Sequence, residues 1–333
     1  MKIEGSVALV TGASSGIGEA TAKRLAMSGY KVYGTSRRGG QASRRSFEML
    51  PLDVTSDESV EAVVKEVLRL DGRIDLLVNN AGFSVAPAGA EESSMEQARS
   101  IFDTNFFGIV RMTRAIVPHM RHQGAGRIIN IGSILGFLPR PYNALYAATK
   151  HAIEGYSESL DHELRTRGIR VLVIEPGYTK TQFDANLLEA DSKLEEYREV
   201  RAALGKQLKE ALAAADEPCV VADVVLEAAI AARPKLRYTA GGGAGRLRFA
   251  SQICARWRSG RRDSKGAAAR RARGGPASHA GLGQVAVPTI QGTCVRNAVA
   301  IPVRAEVICH TAYRKAPLPG ERRRFRCRTM RWG

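Results

Sequence analysis

Tyr146 and Lys150 stand four residues apart in the stretch Asn143-Ala-Leu-Tyr-Ala-Ala-Thr-Lys150. If that stretch opens a helix with Asn143 at its N-cap, the spacing stacks both side chains on one face. A phenol with a pKa near 10 is only about 0.1% ionised at neutral pH, so a tyrosine exchanging protons there needs its anion stabilised by roughly 4 kcal/mol. An ammonium about 4 Å away, at an effective dielectric of 20, supplies roughly that amount before desolvation takes some back. A tyrosine and a lysine at this spacing also occur by chance in most chains of this length. The pair therefore takes its meaning from the elements that position it.

Up to about residue 240, short apolar or β-branched runs alternate with longer segments of helical period, which predicts a parallel sheet with crossover helices. The runs at 8–11, 31–35, 48–52, 76–79, 127–131, 170–174 and 236–239 read as seven strands. Helices are expected over 17–27, 58–70, 95–120 and 144–165. Continuous apolar strands such as Ile169-Arg-Val-Leu-Val-Ile174 fit burial on both faces. The connection over 177–216 is far longer than a usual βα loop. Leu194, Tyr197, Arg201, Leu204, Leu208 and Leu212 recur three or four apart within it. It should be largely helical, serving either as a lid over a pocket or as an ordinary insertion packed on the core.

The net charge of +17 suggests a nucleic-acid binder until its distribution is examined. Residues 1–240 hold 30 Lys+Arg against 30 Asp+Glu, whereas 241–333 hold 20 against 3. The basic character thus belongs to the C-terminal stretch, which interleaves arginines with Gly, Pro, Ser and Ala and reads as a disordered tail over 245–333. That tail carries both tryptophans and four of the five cysteines, and only Cys219 lies before it. Sparse cysteine argues for a reducing compartment without a disulfide framework. The N-terminus runs into Val7-Ala-Leu-Val10 with no apolar leader, and no uncharged run suits a bilayer span, so a cytoplasmic protein without a membrane partner is expected. No zinc-finger, RNP or helix-turn-helix pattern accompanies the tail's charge, although the charge itself permits weak nucleic-acid binding.

Thr11-Gly-Ala-Ser-Ser-Gly-Ile-Gly18 follows the first strand and opens a helix, the context in which glycines bring backbone close to a pyrophosphate at a helix N-terminus. Alone it is equally a tight βα turn. Further along come Asp53 in Leu-Asp-Val, the tetrapeptide Asn79-Asn-Ala-Gly82, Asn105, Ser133 thirteen residues before Tyr146, Lys150, and Pro176-Gly177 followed by Thr181. In this combination and order, residues 3–240 resemble the short-chain dehydrogenase/reductase family, non-extended branch, whose glycine motif has the form TGxxxGxG. The resemblance implies a Rossmann-type α/β fold: a doubly wound, seven-stranded parallel sheet with helices on both faces. Residues 1–244 would form the dinucleotide-binding and catalytic domain, with 177–216 as substrate loop.

The resemblance further implies that Tyr146 is the acid/base and that Lys150 lowers its pKa while bonding the nicotinamide ribose. Ser133 would hold the substrate oxygen, and Asn105 would anchor a water in the proton relay. For the dinucleotide it implies the glycine turn, with Gly12, Ser14, Ser15, Gly16, Ile17 and Gly18, at the phosphates, Asp53 bonding the adenine amino group, and Asn79 and Gly82 lining the adenosine side. Val54, Ala81, Pro176, Gly177, Thr179 and Thr181 would add further cofactor contacts. No metal is implied. From residue type alone, Ser133 also reads as a strand-end cap, Asn105 as a buried amide bonded to backbone, and Asp53 as a turn residue.

Cofactor choice turns on the end of the second strand, where an acid would accept a ribose 2′-hydroxyl. The chain there reads Tyr33-Gly-Thr-Ser36-Arg37-Arg38, with no carboxylate before Glu48. Arginine forks suit a 2′-phosphate, so NADP(H) is favoured over NAD(H). The segments Lys31-Val-Tyr, Val110-Arg-Met and Glu154-Gly-Tyr-Ser-Glu-Ser-Leu are similar to 17β-hydroxysteroid and retinol dehydrogenases, which implies a bulky apolar alcohol or ketone as small-molecule substrate. Family resemblance also implies a homodimer or homotetramer through the fourth and fifth helices. The stretch from Gly245 departs from the family's short closing segment and resembles a GC-rich coding region read in another frame. The competing readings are a non-catalytic dinucleotide sensor, against which the Ser133, Tyr146 and Lys150 set argues, and a nucleic-acid binder acting through the tail.

Overall fold

Strands buried on both faces send successive side chains to opposite sides, so apolar strands need a helical layer on each. A computed structural model of the protein, which describes residues 4–39, 46–181 and 187–251, has this arrangement. Strands β1 (Val7–Val10), β2 (Lys31–Ser36), β3 (Glu48–Pro51), β4 (Leu76–Asn79), β5 (Gly126–Ile131), β6 (Ile169–Pro176) and β7 (Arg237–Ala240) form one sheet. Their order is β3-β2-β1-β4-β5-β6-β7, parallel throughout. Each strand boundary falls within two residues of the sequence expectation.

Ala8, Val10, Val78, Ile129 and Leu172 pack on one face against helices α1 (Gly16–Met27) and α7 (Pro218–Ile230). Leu9, Leu77, Ile128 and Val171 pack on the other against α2 (Asp57–Asp71) and α4 (Gly108–Gln123). The chain reverses its direction of winding between β1 and β4, and the crevice at the carboxyl ends of the strands there is where such sheets take ligands.

One helix was expected over 95–120, and the structure divides it. Helix α3 (Met95–Phe102) passes into a π turn (Asp103–Phe107) before α4 begins. The wide turn contains Asn105, whose short amide is a poor helix-interior group and is bonded elsewhere. Helix α5 (Ala144–Leu164) carries the Tyr146 and Lys150 pair; Asn143 holds its N-cap position but makes no side-chain capping bond. The long connection contributes α6 (Arg198–Ala213) after a 3₁₀ turn at Glu195–Tyr197. Residues 244–251 are helical, so ordered backbone crosses the composition change at 245. Residues 252–333, with most of the tail read as disordered, lie outside the described residues, as do 182–186 of the substrate loop.

A buried arginine ties the layer of α1 and α7 to the sheet. Arg127 of β5, 7% exposed, donates from Nη1 to the carbonyls of Ala228 (2.8 Å) and Ala229, and from Nη2 to that of Ala231 (3.0 Å). These are the orphan carbonyls at the C-terminus of α7, where a cation also meets the negative end of the helix dipole. Arg127→Met keeps the apolar stem and strands three acceptors. We expect a loss of about 2–4 kcal/mol, read as a melting temperature lower by roughly 5–15 °C; an unchanged melting temperature would show that water satisfies these carbonyls equally well.

Candidate active site

The turn after β1 is built by close approach. Gly12 (φ +67°) and Gly16 (φ +58°) occupy the left-handed region, and a Cβ on Gly12 would lie 2.9 Å from the Ala81 Cα. A Cβ on Gly18 would lie 2.2 Å from the Gly12 carbonyl oxygen. Gly18 therefore serves helix-to-turn packing, and unlike Gly12, Ser14, Ser15, Gly16 and Ile17 it does not line the cleft. Two residues that sequence reasoning gave no role hold this turn. Asn80 Nδ2 donates to the carbonyls of Thr11 and Gly12, each at 3.0 Å, while Thr11 Oγ1 accepts from the N–H groups of Asn80 and Ala81, also at 3.0 Å. The neighbouring Asn79, expected on the adenosine side, does not line this cleft. It ends β4, 3% exposed, and its Nδ2 donates to Asn130 Oδ1 at 2.9 Å inside the sheet. The period of two puts adjacent asparagines on opposite sides, so only one of them can serve the cleft.

A cleft of about 1690 Å³ opens along the strand ends. It brings together Asn105, Ser133, Tyr146 and Lys150 with Ser36, Arg37, Arg38, Asp53, Val54, Ala81, Gly82, Pro176, Gly177, Thr179 and Thr181. Every expected site residue except Asn79 and Gly18 thus faces one space. Ser15 stands at the N-cap of α1 with no side-chain capping bond, which leaves helix N-terminal donors to the cleft. Arg37 and Arg38 make no ion pair among the described residues. Asp53 folds into a local turn, its Oδ1 accepting from Thr55 N (2.9 Å) and Oγ1 (2.7 Å). Those bonds hold its carboxyl below the usual range, with Arg37 adding to the effect.

At the centre, Lys150 is 8% exposed and donates from Nζ to the Ile131 carbonyl at the end of β5, 2.8 Å away. Its Nζ lies 5.5 Å from the Tyr146 ring centroid. Burial pushes its pKa down to about 8, opposed by the charge of Glu154 one turn further along α5. The ammonium therefore persists at neutral pH. Ser133 accepts from Leu135 N at 3.1 Å, so it does cap the strand end, and it faces the cleft as well. Asn105, 1% exposed, clamps Phe83 by accepting from its N–H (2.9 Å) and donating to its carbonyl (2.8 Å). Gly82 permits this, because a Cβ there would lie 2.9 Å from Asn105 Oδ1.

The long connection is fixed to the cleft wall. Glu92, fully buried, accepts from Gly89 N (2.6 Å), Leu194 N (2.9 Å) and Arg201 Nη1. Tyr197 packs edge-on against Tyr142, the non-glycine residue in the left-handed region (φ 62°) four positions before Tyr146. Leu187, Leu188, Leu208 and Leu212 then give the cleft an apolar side. Position 142 had no sequence signal, since only tertiary contacts hold a tyrosine there.

With this geometry established, likeness to known proteins becomes informative. Residues 6–192 match the family model described as short chain dehydrogenase. The chain belongs to the short-chain dehydrogenase family. A 3-ketodihydrosphingosine reductase of Bacteroides thetaiotaomicron is 42% identical over 194 residues, covering 57% of this chain and 71% of that protein. Among solved structures, a 3-ketoacyl-(acyl-carrier-protein) reductase of Brucella melitensis complexed with NADH superposes with a TM-score of 0.63 at 28% identity, over 73% of this chain and 99% of that one. The closed form of a serine dehydrogenase complexed with NADP+ gives 0.60 at 30% identity, over 70% and 93%. This short-chain dehydrogenase is accordingly an oxidoreductase on a dinucleotide-binding fold. Its glycine turn, uncapped α1 and Asn80 brace fit a dinucleotide's phosphates. Among the described residues no cluster suits a metal ion, and no helix is long and apolar enough to cross a membrane.

Behind Lys150 lies a second charged set. Glu154 Oε2 accepts from Arg237 Nε at 2.8 Å, and Arg248 Nη1 lies 2.6 Å from Oε1 of Glu175, which is fully buried. Burial and then the Glu154 carboxylate push Glu175 up to about 7, against the pull of Arg248 and Arg237. An acid whose folded pKa exceeds its unfolded value near 4.5 stabilises most below 4.5 and loses that contribution as pH rises through 7. Wild type should therefore lose stability relative to Glu175→Gln between those limits. Denaturant titrations of both proteins across this range test it, and parallel pH profiles would contradict it.

Proposed function

We propose that the protein reduces a ketone, or oxidises the matching secondary alcohol, with NADP(H) as the hydride carrier. The observation that carries this reading is that Ser133, Tyr146 and the buried Lys150, its Nζ 5.5 Å from the Tyr146 ring centroid, line one large cleft. When bound, the nicotinamide supplies or accepts the hydride at the substrate carbon. Ser133 Oγ holds the carbonyl oxygen, since a hydroxyl can donate to a ketone and accept from an alcohol. Tyr146 Oη delivers the proton to that oxygen in reduction and takes it back in oxidation. The Lys150 charge favours the phenolate, and the Ile131 carbonyl keeps the ammonium from turning away. Asn105 would act through its main chain, because Phe83 engages both ends of its amide and Thr149 Oγ1 a further donor at 3.4 Å.

The names of the relatives support the reduction of a keto group, as both the sphingolipid and the acyl-carrier reductases are named for one. The apolar side formed by Leu187, Leu188, Leu208 and Leu212 favours a substrate with a bulky apolar body. Solved relatives carry NADH in one case and NADP+ in another, so the choice of cofactor rests on this chain's own residues. Arg37 and Arg38 directly follow β2, where a carboxylate would serve NAD(H), and residues 40–45 add two more arginines and no acid.

Tyr146→Phe removes the proton donor and little volume. Turnover of a ketone panel, followed by NADPH absorbance, should fall by about 10²–10⁴-fold while NADPH still binds. A variant retaining most of its activity would remove Tyr146 from this role. For the cofactor, Arg37→Ala should weaken NADPH by about tenfold or more and leave NADH nearly unchanged, since a charge-assisted phosphate contact contributes a few kcal/mol. Equal dissociation constants for NADPH and NADH in the wild-type protein would overturn the preference.

A further inference from the structure

The arginines that are buried or partly buried in the described residues nearly all have an answer to their charge. Arg24 has Asp223, Arg111 has Asp57 and Asp103, Arg170 has Asp161, and Arg201 has Glu92. Arg237 and Arg248 have the glutamates behind Lys150, and Arg127 has the carbonyls ending α7. Arg140 stands apart. It lies between Ser133 and Tyr146 in sequence and lines the same cleft, yet no carboxylate among the described residues lies within ion-pair distance of it.

Neutral groups hold the guanidinium in place. Nη1 donates to Tyr178 Oη, Cζ sits 6.0 Å from the Tyr178 ring centroid, and Nη2 reaches Asn143 Oδ1 at 3.5 Å. Its Nε is buried and has no hydrogen-bond partner. A partly desolvated cation with an unused donor favours an anion, and a planar fork favours one with two oxygens to offer. Its supports come from two segments, Tyr178 following β6 and Asn143 preceding α5, so the fork is positioned before a ligand arrives. A surface arginine kept for solubility would not need such bracing.

We propose that Arg140 binds an anionic substituent of the substrate, a carboxylate or a phosphate, so that the enzyme acts on a keto acid or hydroxy acid with an apolar body in preference to a neutral ketone. This rests on reading the cleft as that of a carbonyl reductase and specifies the substrate class. The ketone oxygen lies at Ser133 and Tyr146, the apolar body lies along the leucine side, and the acid end meets the Arg140 fork. The Tyr178 hydroxyl, already beside the guanidinium, offers the same anion a second donor.

The test compares an aryl keto acid with its methyl ester, which keeps the skeleton and removes the charge. Binding of each to the enzyme–NADPH complex is followed by nicotinamide fluorescence, and kcat and KM are measured alongside. The wild-type complex should bind the acid about tenfold or more tighter than the ester, with the difference in kcat/KM carried by KM. Arg140→Met should bring acid and ester level, and Arg140→Lys should restore part of the preference, since it keeps the charge and loses the fork. Equal affinity for acid and ester in wild type would overturn the proposal. So would an Arg140→Met variant that weakens both ligands equally, or one that weakens NADPH with the acid-to-ester ratio intact. Acid-selective binding without turnover of either compound would uphold the anion site while removing the reductase reading, so the two failures remain distinct.

Discussion

A buried ammonium that must remain charged is the constraint on which this active site depends. Lys150 has lost almost all contact with water, and its pKa falls to about 8 as a result. The charge of Glu154, a turn along the same helix, opposes a further fall, and the Ile131 carbonyl at the end of β5 accepts a hydrogen bond from the ammonium. A lysine fully exposed at this place would be screened and would act weakly on Tyr146. One buried without partners would be neutral and would not act at all. The helix α5 and the strand end β5 must therefore meet in a fixed register, and Ser133, just past that strand end, lines the same cleft as Tyr146.

Other features of the cleft follow from the same demand for fixed positions. Asn80 and Thr11 tie the glycine turn to the end of β4, so that backbone rather than a flexible side chain is presented where the proposed dinucleotide's phosphates would lie. Asn105 sits in the π turn and clamps Phe83, another residue lining the cleft. Glu92 anchors the long connection from beneath, and Tyr197 meets Tyr142 just before the catalytic helix. The long connection and the segment leading into α5 are thus joined through a residue held in the left-handed region.

The sequence showed what local pattern can show. Seven apolar runs separated by helical periods fixed the sheet, because burial on both faces leaves that signature in each strand. The positions that line the cleft were legible because most follow a strand end, while Asn105, Tyr146 and Lys150, on helical segments, stand at a motif spacing from them. Three features were not legible, for different physical reasons. The choice between Asn79 and Asn80 depends on the pleat at the last residue of β4, which a tetrapeptide does not reveal. The division of the 95–120 helix depends on a bond to Phe83, more than twenty residues upstream. The docking of the long connection depends on Glu92, and a lone acid in a loop has no pattern that announces a buried anchor. Arg140 illustrates the same point, since an unanswered arginine is recognised only when its surroundings are known.

The most direct test of the central claim is the ionisation of Tyr146 itself, followed as the phenolate difference spectrum between wild type and Tyr146→Phe in the NADP+ complex. The account predicts a transition well below the ordinary phenol value near 10, returning towards that value in Lys150→Met, whose side chain fills similar space without charge. A transition at or above the ordinary value in wild type, or one that does not move when the ammonium is removed, would contradict it.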